Sequence, residues 1–380
     1  MTGSRGKALL AMSGGVDSSV AAALLRQDGW DVVGCFMRLG SPGETVDALM
    51  PADACDPRAL KLGKQGCCSV GDAHDAKLVA AELGIPLYVC NFKRDFGRIM
   101  EYFVAEHVAG RTPNPCVRCN DWLKFGKLHD YARQIGADVV ASGHHARIVH
   151  DASGAQLHRG VDLGKDQSYV LFGAPRHRLD EMLLPVGEMT KDDVRSRATE
   201  LGLPVFDKPD SQEICFVPDN DHAGFVERRA PELRVRGRIL DTAGRTIGEH
   251  DGHHRFTIGQ RRGVGVAVGK PIYVVNKDPE SNTIVVGDRT DLAVSELDLR
   301  ELNWHIDTTA GLGGPIEVLV QFRAHGDAAC AIVEPGSERE SAVIRFDEPQ
   351  FGVAPGQAAV FYDPKQPSRV LGGGWIVNCG

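Results

Sequence analysis

The 380-residue sequence reads as an α/β chain: a parallel sheet covered by helices, followed by two smaller β-rich domains. Three observations lead there. Residues 7–150 alternate short apolar, β-rich runs with longer helical patterns, the rhythm of βαβ units. A stretch rich in glycine and serine, Ser13-Gly14-Gly15-Val16-Asp17-Ser18-Ser19, stands between the first apolar run and the first helical pattern. Beyond about residue 224 the texture changes to short β-patterned runs divided by glycine turns.

The sheet strands are expected over 8–12, 32–37, 87–91 and 139–142, each a continuous apolar run suited to burial on both faces. Helices are expected over 17–27, 73–83, 96–109 and 122–135, and the last three stop at Gly84, Gly110 and Gly136, where glycine supplies a left-handed cap. Residues 39–71 break the rhythm with Pro, Gly, Asp and three cysteines, and are expected to form a flexible loop beside the site. The later runs fall into two series. Residues 234–240, 255–258, 272–276 and 283–286 form a small β module, and 316–322, 328–333, 342–346, 358–362 and 370–377 form a closed or sandwiched antiparallel sheet. The implied domains are 1–220, 221–288 and 289–380.

Lys and Arg number 43 against 51 Asp and Glu, a formal net charge of -8, which argues against a surface that is basic all over. A local basic face remains open: between His222 and Arg262 nine arginines meet five acids, a candidate for phosphate-backbone contact whose bland alternative is a solvated β-module surface. No apolar stretch nears the roughly 18 residues a membrane span needs, and residues 1–12 lack a signal-peptide core, so a cytoplasmic location is expected. There the ten cysteines are expected to be reduced, serving as apolar fillers, metal ligands or redox catalysts.

The heptapeptide after the first strand brings amides and hydroxyls to the positive end of a helix dipole, a ready anion site. Its glycines allow close backbone approach, and Asp17 is placed to cap the helix or hold Mg²⁺. The lysine of the Gly-x-x-x-x-Gly-Lys-Ser/Thr loop is missing, which points to pyrophosphate held as a leaving group. Cys116 and Cys119 stand three residues apart in a proline-fixed loop just before a helix, whose N-terminus favours thiolate. Cys215 is a third candidate thiol; a zinc site is disfavoured because no second pair completes four ligands. Gly143-His144-His145 closes the fourth strand and suits either a nucleotide contact or a turn cap. His250, His253 and His254 lie in a glycine-rich turn and are expected to face solvent.

Ser-Gly-Gly-x-Asp-Ser resembles the signature of the PP-loop ATP pyrophosphatases (adenine nucleotide alpha hydrolase-like fold). That superfamily includes amide-forming synthetases and RNA-sulfurating enzymes. Residues 12–19, Gly110-Arg111-Thr112-Pro113-Asn114-Pro115 with Cys119-Asn120, Gly164-Lys165-Asp166-Gln167-Ser168-Tyr169, and Ile214-Cys215-Phe216 together resemble the tRNA-specific 2-thiouridylase family. Gly248-Glu249-His250, residues 257–263 and Leu371-Gly372-Gly373-Gly374 extend the likeness over nearly the whole chain.

The resemblance implies an ATP- and Mg²⁺-dependent enzyme that adenylates the wobble uridine of tRNA and places sulfur on its C2. It implies ATP contacts at Ala11, Met12, Ser13, Gly14, Gly15, Val16, Asp17, Ser18, Met37 and Gly143. It also implies tRNA contacts at Asn114, Pro115, Cys116, Lys165, Asp166, Gln167, Gln321 and Phe322, and a catalytic set of Cys119, Cys215 and Cys116 with a cysteine desulfurase or sulfur-relay partner. Many family members have Asp where this chain has Cys116, so two sulfur mechanisms stay open. One is a persulfide on Cys215 resolved by Cys119; the other is a 4Fe-4S cluster on Cys116, Cys119 and Cys215. An amide-forming PP-loop synthetase and a noncatalytic RNA-binding iron-sulfur sensor are the alternatives in function.

Overall fold

The computed structural model describes residues 5–40, 70–210, 214–217, 219–266, 268–308, 314–336 and 340–380. The expected loop over 39–71 lies almost wholly outside the described residues, as do Cys55, Cys67 and Cys68. Two compact units divide the chain. Met1–Arg98, Cys119–Ser168 and His177–Asp221 make one, and Ile99–Arg118, Tyr169–Arg176 and His222–Gly380 the other.

In the first unit β1 (Lys7–Ala11), β2 (Asp31–Arg38), β3 (Leu87–Asn91) and β4 (Val139–Ser142) pair in parallel. A hairpin of β5 (Ala146–Asp151) and β6 (Gly154–Arg159) follows, and then the two-residue β7 (Met182–Leu183), parallel to β4. The order β3-β2-β1-β4-β7 matters for function, because the chain leaves β1 in one direction and returns to its other side at β4. That reversal opens a crevice at the carboxyl ends of β1 and β4. Leu10, Val20, Phe36 and Ala141 lie in one apolar cluster that fixes the helix Val16–Gln27 on the sheet. One strand departs from expectation: β3 is an edge, with Tyr88 and Val89 exposed and only Cys90 buried, so its apolar run is not a two-face-buried strand.

The predicted helix over 122–135 is a longer composite. An α turn over Pro115–Arg118 runs into a π-helical stretch, Cys119–Lys127, and an α segment, Leu128–Gln134. Pro115 sits at its first position, where a missing N–H costs nothing, and Asn114 Oδ1 accepts from Val117 N at 3.3 Å, so both thiols belong to the helical run rather than to a preceding loop. The carbonyls that the wider turns expose are satisfied by Arg178, whose Nη1 donates to Phe125 O and Gly126 O, both at 2.7 Å.

The second unit holds a four-stranded sheet and a closed barrel. β8 (Gly237–Asp241), β9 (Thr246–His250), β10 (Tyr273–Asp278) and β11 (Thr283–Gly287) take the order β10-β11-β8-β9 over Ile239, Val274, Ile284 and Val286. The expected strand over 255–258 is absent: Arg255 ends a 3₁₀ turn, His253–Arg255, and residues 256–258 join no sheet, because β9 pairs with β8 in their place. β12 (Ala293–Trp304), β13 (Ile316–Gln321), β14 (Ala329–Pro335), β15 (Ala342–Phe351), β16 (Ala358–Tyr362) and β17 (Val370–Cys379) close in the order β12-β15-β14-β13-β16-β17, all pairings antiparallel. Val320, Ile344 and Phe361 fill it, and closure removes the free edges that an open sheet would leave.

Candidate functional site

The heptapeptide lies at the reversal point of the sheet. Ala11 pairs with Cys35 on one side and Ser142 on the other, so Met12, Met37 and Gly143 fall just beyond the same level of three adjacent strands. Ala11, Met12, Val16, Ser18 and Met37 are buried, while Ser13 is exposed and Gly15 half-buried. Gly14 has φ +74°, and a Cβ there would stand 2.2 Å from the Asp72 carbonyl oxygen, so no other residue fits. Gly143 is demanded by space alone: its Cβ would lie 2.5 Å from Ser18 N and 2.7 Å from Asp17 C. The expected ATP contacts therefore converge, and Gly143 is what allows β4 to approach the loop.

Gly15, not Asp17, is the N-cap of the helix, and no side chain caps it, leaving the first-turn amides to face a ligand. The loop's hydroxyls shape it: Ser18 Oγ donates to Gly15 O at 3.1 Å, and Ser19 Oγ to the same carbonyl at 2.8 Å. Asp17 is engaged elsewhere. Its two carboxylate oxygens accept from Lys191 Nζ at 2.7 and 2.8 Å, and Oδ1 lies 3.3 Å from His145 Nε2. Burial works to raise its pKa, but the His145 and Lys191 contacts win, and the carboxyl is held below its usual range.

Lys191 also bonds Asp210 Oδ1 at 2.9 Å, and Asp210 meets Lys165 at 2.8 Å and Arg195 at 2.9 Å. Against the burial that would raise it, contacts from Lys165 and Lys191 bring Asp210 down to about 2. Lys208 Nζ donates to Gly14 O at 2.9 Å, and to Asp72 and Asp75 at 2.6 Å each, bracing the loop from its main-chain side. Lys191, Lys208 and Asp210 were missed in the sequence, since only folding brings the two lysines to a loop 174 and 194 residues earlier. His144 is neutral, because burial lowers its pKa well below 6.5; Lys124 Nζ at 3.4 Å must donate to its Nε2, so its Nδ1 hydrogen goes to Ser142 Oγ at 2.7 Å. The histidine pair thus belongs to this edge, His145 through Asp17 and His144 through the strand end.

The residues expected to meet tRNA are placed unequally. Lys165 is in its ion pair with Asp210. The Asp166 carboxylate is buried under Arg159, Gly160 N and both the amide and hydroxyl of Ser168, and Gln167 Oε1 accepts from His145 N at 2.8 Å. Asp166 and Gln167 are thus engaged within the first unit, and Lys165 is linked to the phosphate loop through Asp210 and Lys191. Phe322 joins the barrel core and packs edge-on against Phe346, while Gln321, next to inward-facing Val320 and so on the other face of β13, is buried with Nε2 donating to Arg323 O and Ala324 O.

In the second unit, the segment before the thiols is strongly anchored. Arg111 makes a two-pronged bond to buried Glu106 at 2.6 and 2.7 Å, Thr112 N donates to Pro355 O, and Gln357 Nε2 donates to Thr112 O. Arg118, between the two cysteines in sequence, is buried with its guanidinium 4.0 Å from the Trp375 ring centroid and 2.6 Å from Glu301. Glu301 holds a left-handed backbone, φ +51°, at a β12 irregularity that aims it at Arg118. Cys116 is exposed and Pro115 buried, with Asn114 half-buried. In the first unit Cys119 is half-buried, and Cys215 is half-buried beside Phe216, which packs edge-on against Phe96 with ring centroids 5.6 Å apart. Among the described residues no three His, Cys, Asp or Glu side chains are grouped as a metal site.

Two further expectations change. His250, His253 and His254 are buried rather than solvent-facing, packed by Phe256 and Glu227. Of the nine arginines, Arg236, Arg245 and Arg255 are in ion pairs with Glu249, Asp241 and Glu227, while Arg228, Arg229, Arg234, Arg238, Arg261 and Arg262 are exposed. No helix among the described residues is long and apolar enough to cross a membrane.

Models of three families match the chain: the tRNA methyl transferase HUP domain over residues 6–219, the tRNA methyl transferase PRC-barrel domain over 223–288 and the aminomethyltransferase beta-barrel domain over 294–376. Among curated relatives, the tRNA-specific 2-thiouridylase MnmA of Rhodopirellula baltica is 46% identical over 98% of this chain and 96% of its own length. Those of Heliobacterium modesticaldum and Geotalea uraniireducens are 44% and 43% identical over 97% and 98% of this chain, and 92% and 95% of their own lengths.

Proposed function

The chain belongs to the tRNA-specific 2-thiouridylase family, and from that premise we propose how its own residues divide the sulfuration of a tRNA wobble uridine. It is a tRNA-uridine 2-sulfurtransferase that spends ATP on the reaction. ATP sits at the carboxyl edge of the sheet, its phosphates on the first-turn amides after Gly15, with Asp17 offering a carboxylate to the Mg²⁺ that accompanies it. Adenylation of the uracil O2 releases pyrophosphate and turns a poor oxygen leaving group into AMP. The target base leaves the anticodon stack to reach the thiols beside Asn114, Pro115 and Cys116.

Sulfur arrives from a cysteine desulfurase or relay protein as a persulfide on Cys215. Its terminal sulfur attacks C2 and AMP departs. The Cys119 thiolate then attacks the inner Cys215 sulfur, leaving the terminal sulfur on the uridine and forming a Cys119–Cys215 disulfide, which an external thiol reduces for the next turnover. This route needs two thiols and leaves Cys116 near the base without a required bond. Lys165 and the exposed arginines of 228–262 contact tRNA phosphates, the three segments 1–220, 221–288 and 289–380 act as catalytic and two β-rich domains, and the enzyme works in the cytoplasm.

The observation that supports this reading best is the convergence of Gly14, Gly143 and an uncapped helix N-terminus at the sheet's reversal point. Purified protein with tRNA, Mg²⁺-ATP and a sulfide or persulfide donor should yield 2-thiouridine by nucleoside mass spectrometry, in an ATP-dependent manner. No thiouridine with any donor, in the presence of reductant and under anaerobic conditions, defeats it.

A further inference from the structure

Lys191 is fixed more firmly than an ordinary surface lysine. It opens the helix Lys191–Glu200 behind a capping box in which Thr190 Oγ1 accepts from Asp193 N, and its own main-chain N donates to Asp162 Oδ2 at 3.0 Å. Only 9% of its side chain is exposed, and the ammonium spans Asp17 on the phosphate loop and Asp210 outside it. A lysine this buried cannot be left without a counter-ion. It has two, and they are not equivalent: Asp210 is also tied to Lys165 and Arg195, while Asp17 stands on the first turn of the phosphate-binding helix.

The loop lacks the lysine that other phosphate loops carry, and helix amides alone supply only about half a positive charge. Lys208 does not fill that role, because its bonds go to Gly14 O, Asp72 and Asp75 on the loop's main-chain side. Resting on the reading of this edge as the ATP site, we propose that Lys191 is the phosphate-binding cation of the enzyme and Asp210 the residue that positions it. When Mg²⁺-ATP binds, the Asp17 carboxylate passes from Lys191 to the metal and the ammonium passes to the pyrophosphate end of the nucleotide. Asp210 keeps the ammonium paired throughout, so neither carboxylate nor ammonium is ever buried alone. The exchange conserves charge pairs, breaking one ion pair as two form.

Equilibrium binding of ATP and of AMP to the full chain, with Mg²⁺ varied, tests this by calorimetry on the wild type, Lys191→Met, Lys191→Arg and Asp210→Asn, each first checked by thermal melting. Lys191→Met should weaken ATP about 100-fold and AMP less than threefold, as expected when a charged contact to the terminal phosphates alone is lost. Lys191→Arg should recover part of the ATP affinity. Asp210→Asn should leave AMP binding unchanged while raising the Mg²⁺ concentration for half-maximal ATP binding about tenfold, since Lys191 then holds Asp17 more tightly. Equal weakening of ATP and AMP in Lys191→Met, or no weakening of either, overturns the assignment. A wild-type Mg²⁺ requirement in Asp210→Asn overturns the positioning role, and this variant decides the matter if Lys191→Met does not fold. A wild type that separates ATP from AMP in this way but never thiolates tRNA would remove the sulfuration reading and leave the lysine assignment standing.

Discussion

At the carboxyl edge of the parallel sheet, Asp17, Lys191, Asp210 and Lys165 alternate in sign, each within 3 Å of the next. In the second unit His253 and His305 are buried and His107 half-buried, yet loss of water pushes all three down to about 4, and they persist as neutral rings. Both regions withdraw titratable groups from water, by opposite means. Apart from neutral His144, the first keeps charge and pairs it, which leaves ions that can be exchanged for a ligand's. The second discards charge, which makes the rings good packing and poor ligands for an anion. Chemistry belongs where the charge was kept.

The harshest way to break the first region is to spoil its close approach. Gly143→Ala forces a Cβ against the backbone at Ser18, which cannot yield as a flexible side chain would. A displacement of about 1 Å at a reacting phosphate costs on the order of 100-fold in rate. ATP-dependent thiolation should fall at least that far while far-ultraviolet circular dichroism stays native; wild-type kinetics would mean that the strand end does not set the loop.

Lys208→Met comes next. It strands Asp72 and Asp75 beside the Gly14 carbonyl, and because the lysine side chain is 26% exposed the loss should be about 2 kcal/mol, below the range for fully buried pairs. Urea unfolding followed by tryptophan fluorescence measures it, and a change under about 0.5 kcal/mol would show that solvent already screens the cluster.

The second region is sharpened by pH. A histidine whose folded pKa lies below its unfolded 6.5 costs nothing above 6.5; as pH falls the unfolded chain takes up the proton that the folded chain refuses, so stability drains away between 6.5 and about 4. Each such group contributes a slope on the order of 1 kcal/mol per pH unit. Asp210 acts in a lower window: with a folded pKa near 2, its contribution is full above 3.8 and is lost only as pH falls toward 2. The first unit carries the same sensitivity through His129, lowered to about 4, and His144, lowered well below 6.5, so hydrogen exchange from pH 7 to 4.5 should show the amides of both units losing protection over one window. Protection unchanged down to pH 4.5 in both units would mean that buried imidazoles do not govern the acid response.

The same contrast explains what was legible in advance. The loop, β1, β4 and the approach of Gly143 could be read because their residues are contiguous or sit at strand ends whose apolar runs are unmistakable. Lys191, Lys208 and Asp210 reach the loop only through tertiary folding, and a lysine at a helix start reads as an ordinary solvated residue. β9 and β12 went unseen because Thr246–His250 and Ala293–Trp304 mix charged and apolar residues without clean alternation, and a barrel tolerates that where one face is wet. His250, His253 and His254 were misjudged for a related reason: glycine-rich turns usually lie outside, yet here Gly252 tucks the turn under Leu233 O.

The smallest effect distinguishes the arginines of the second unit from one another. Arg245 is bound to Asp241 four residues earlier, so its charge is already spent within the hairpin, whereas Arg234 and Arg238 are exposed on and just before β8. If the latter meet the tRNA backbone, each glutamine substitution removes about one phosphate contact, which lowers the slope of log affinity against log salt by about 0.7 to 0.9 and weakens binding severalfold at low salt, equally for every tRNA sequence. Arg245→Gln should leave the slope where it was, because releasing Asp241 adds a negative charge only at the far end of a turn. Filter binding between 50 and 300 mM salt compares the three variants on one axis. Equal slopes for all three would place the RNA face away from β8, on surfaces where charge was kept paired, and the division between a chemical edge and a packing unit would then have to be drawn without assigning this sheet any electrostatic part in substrate capture.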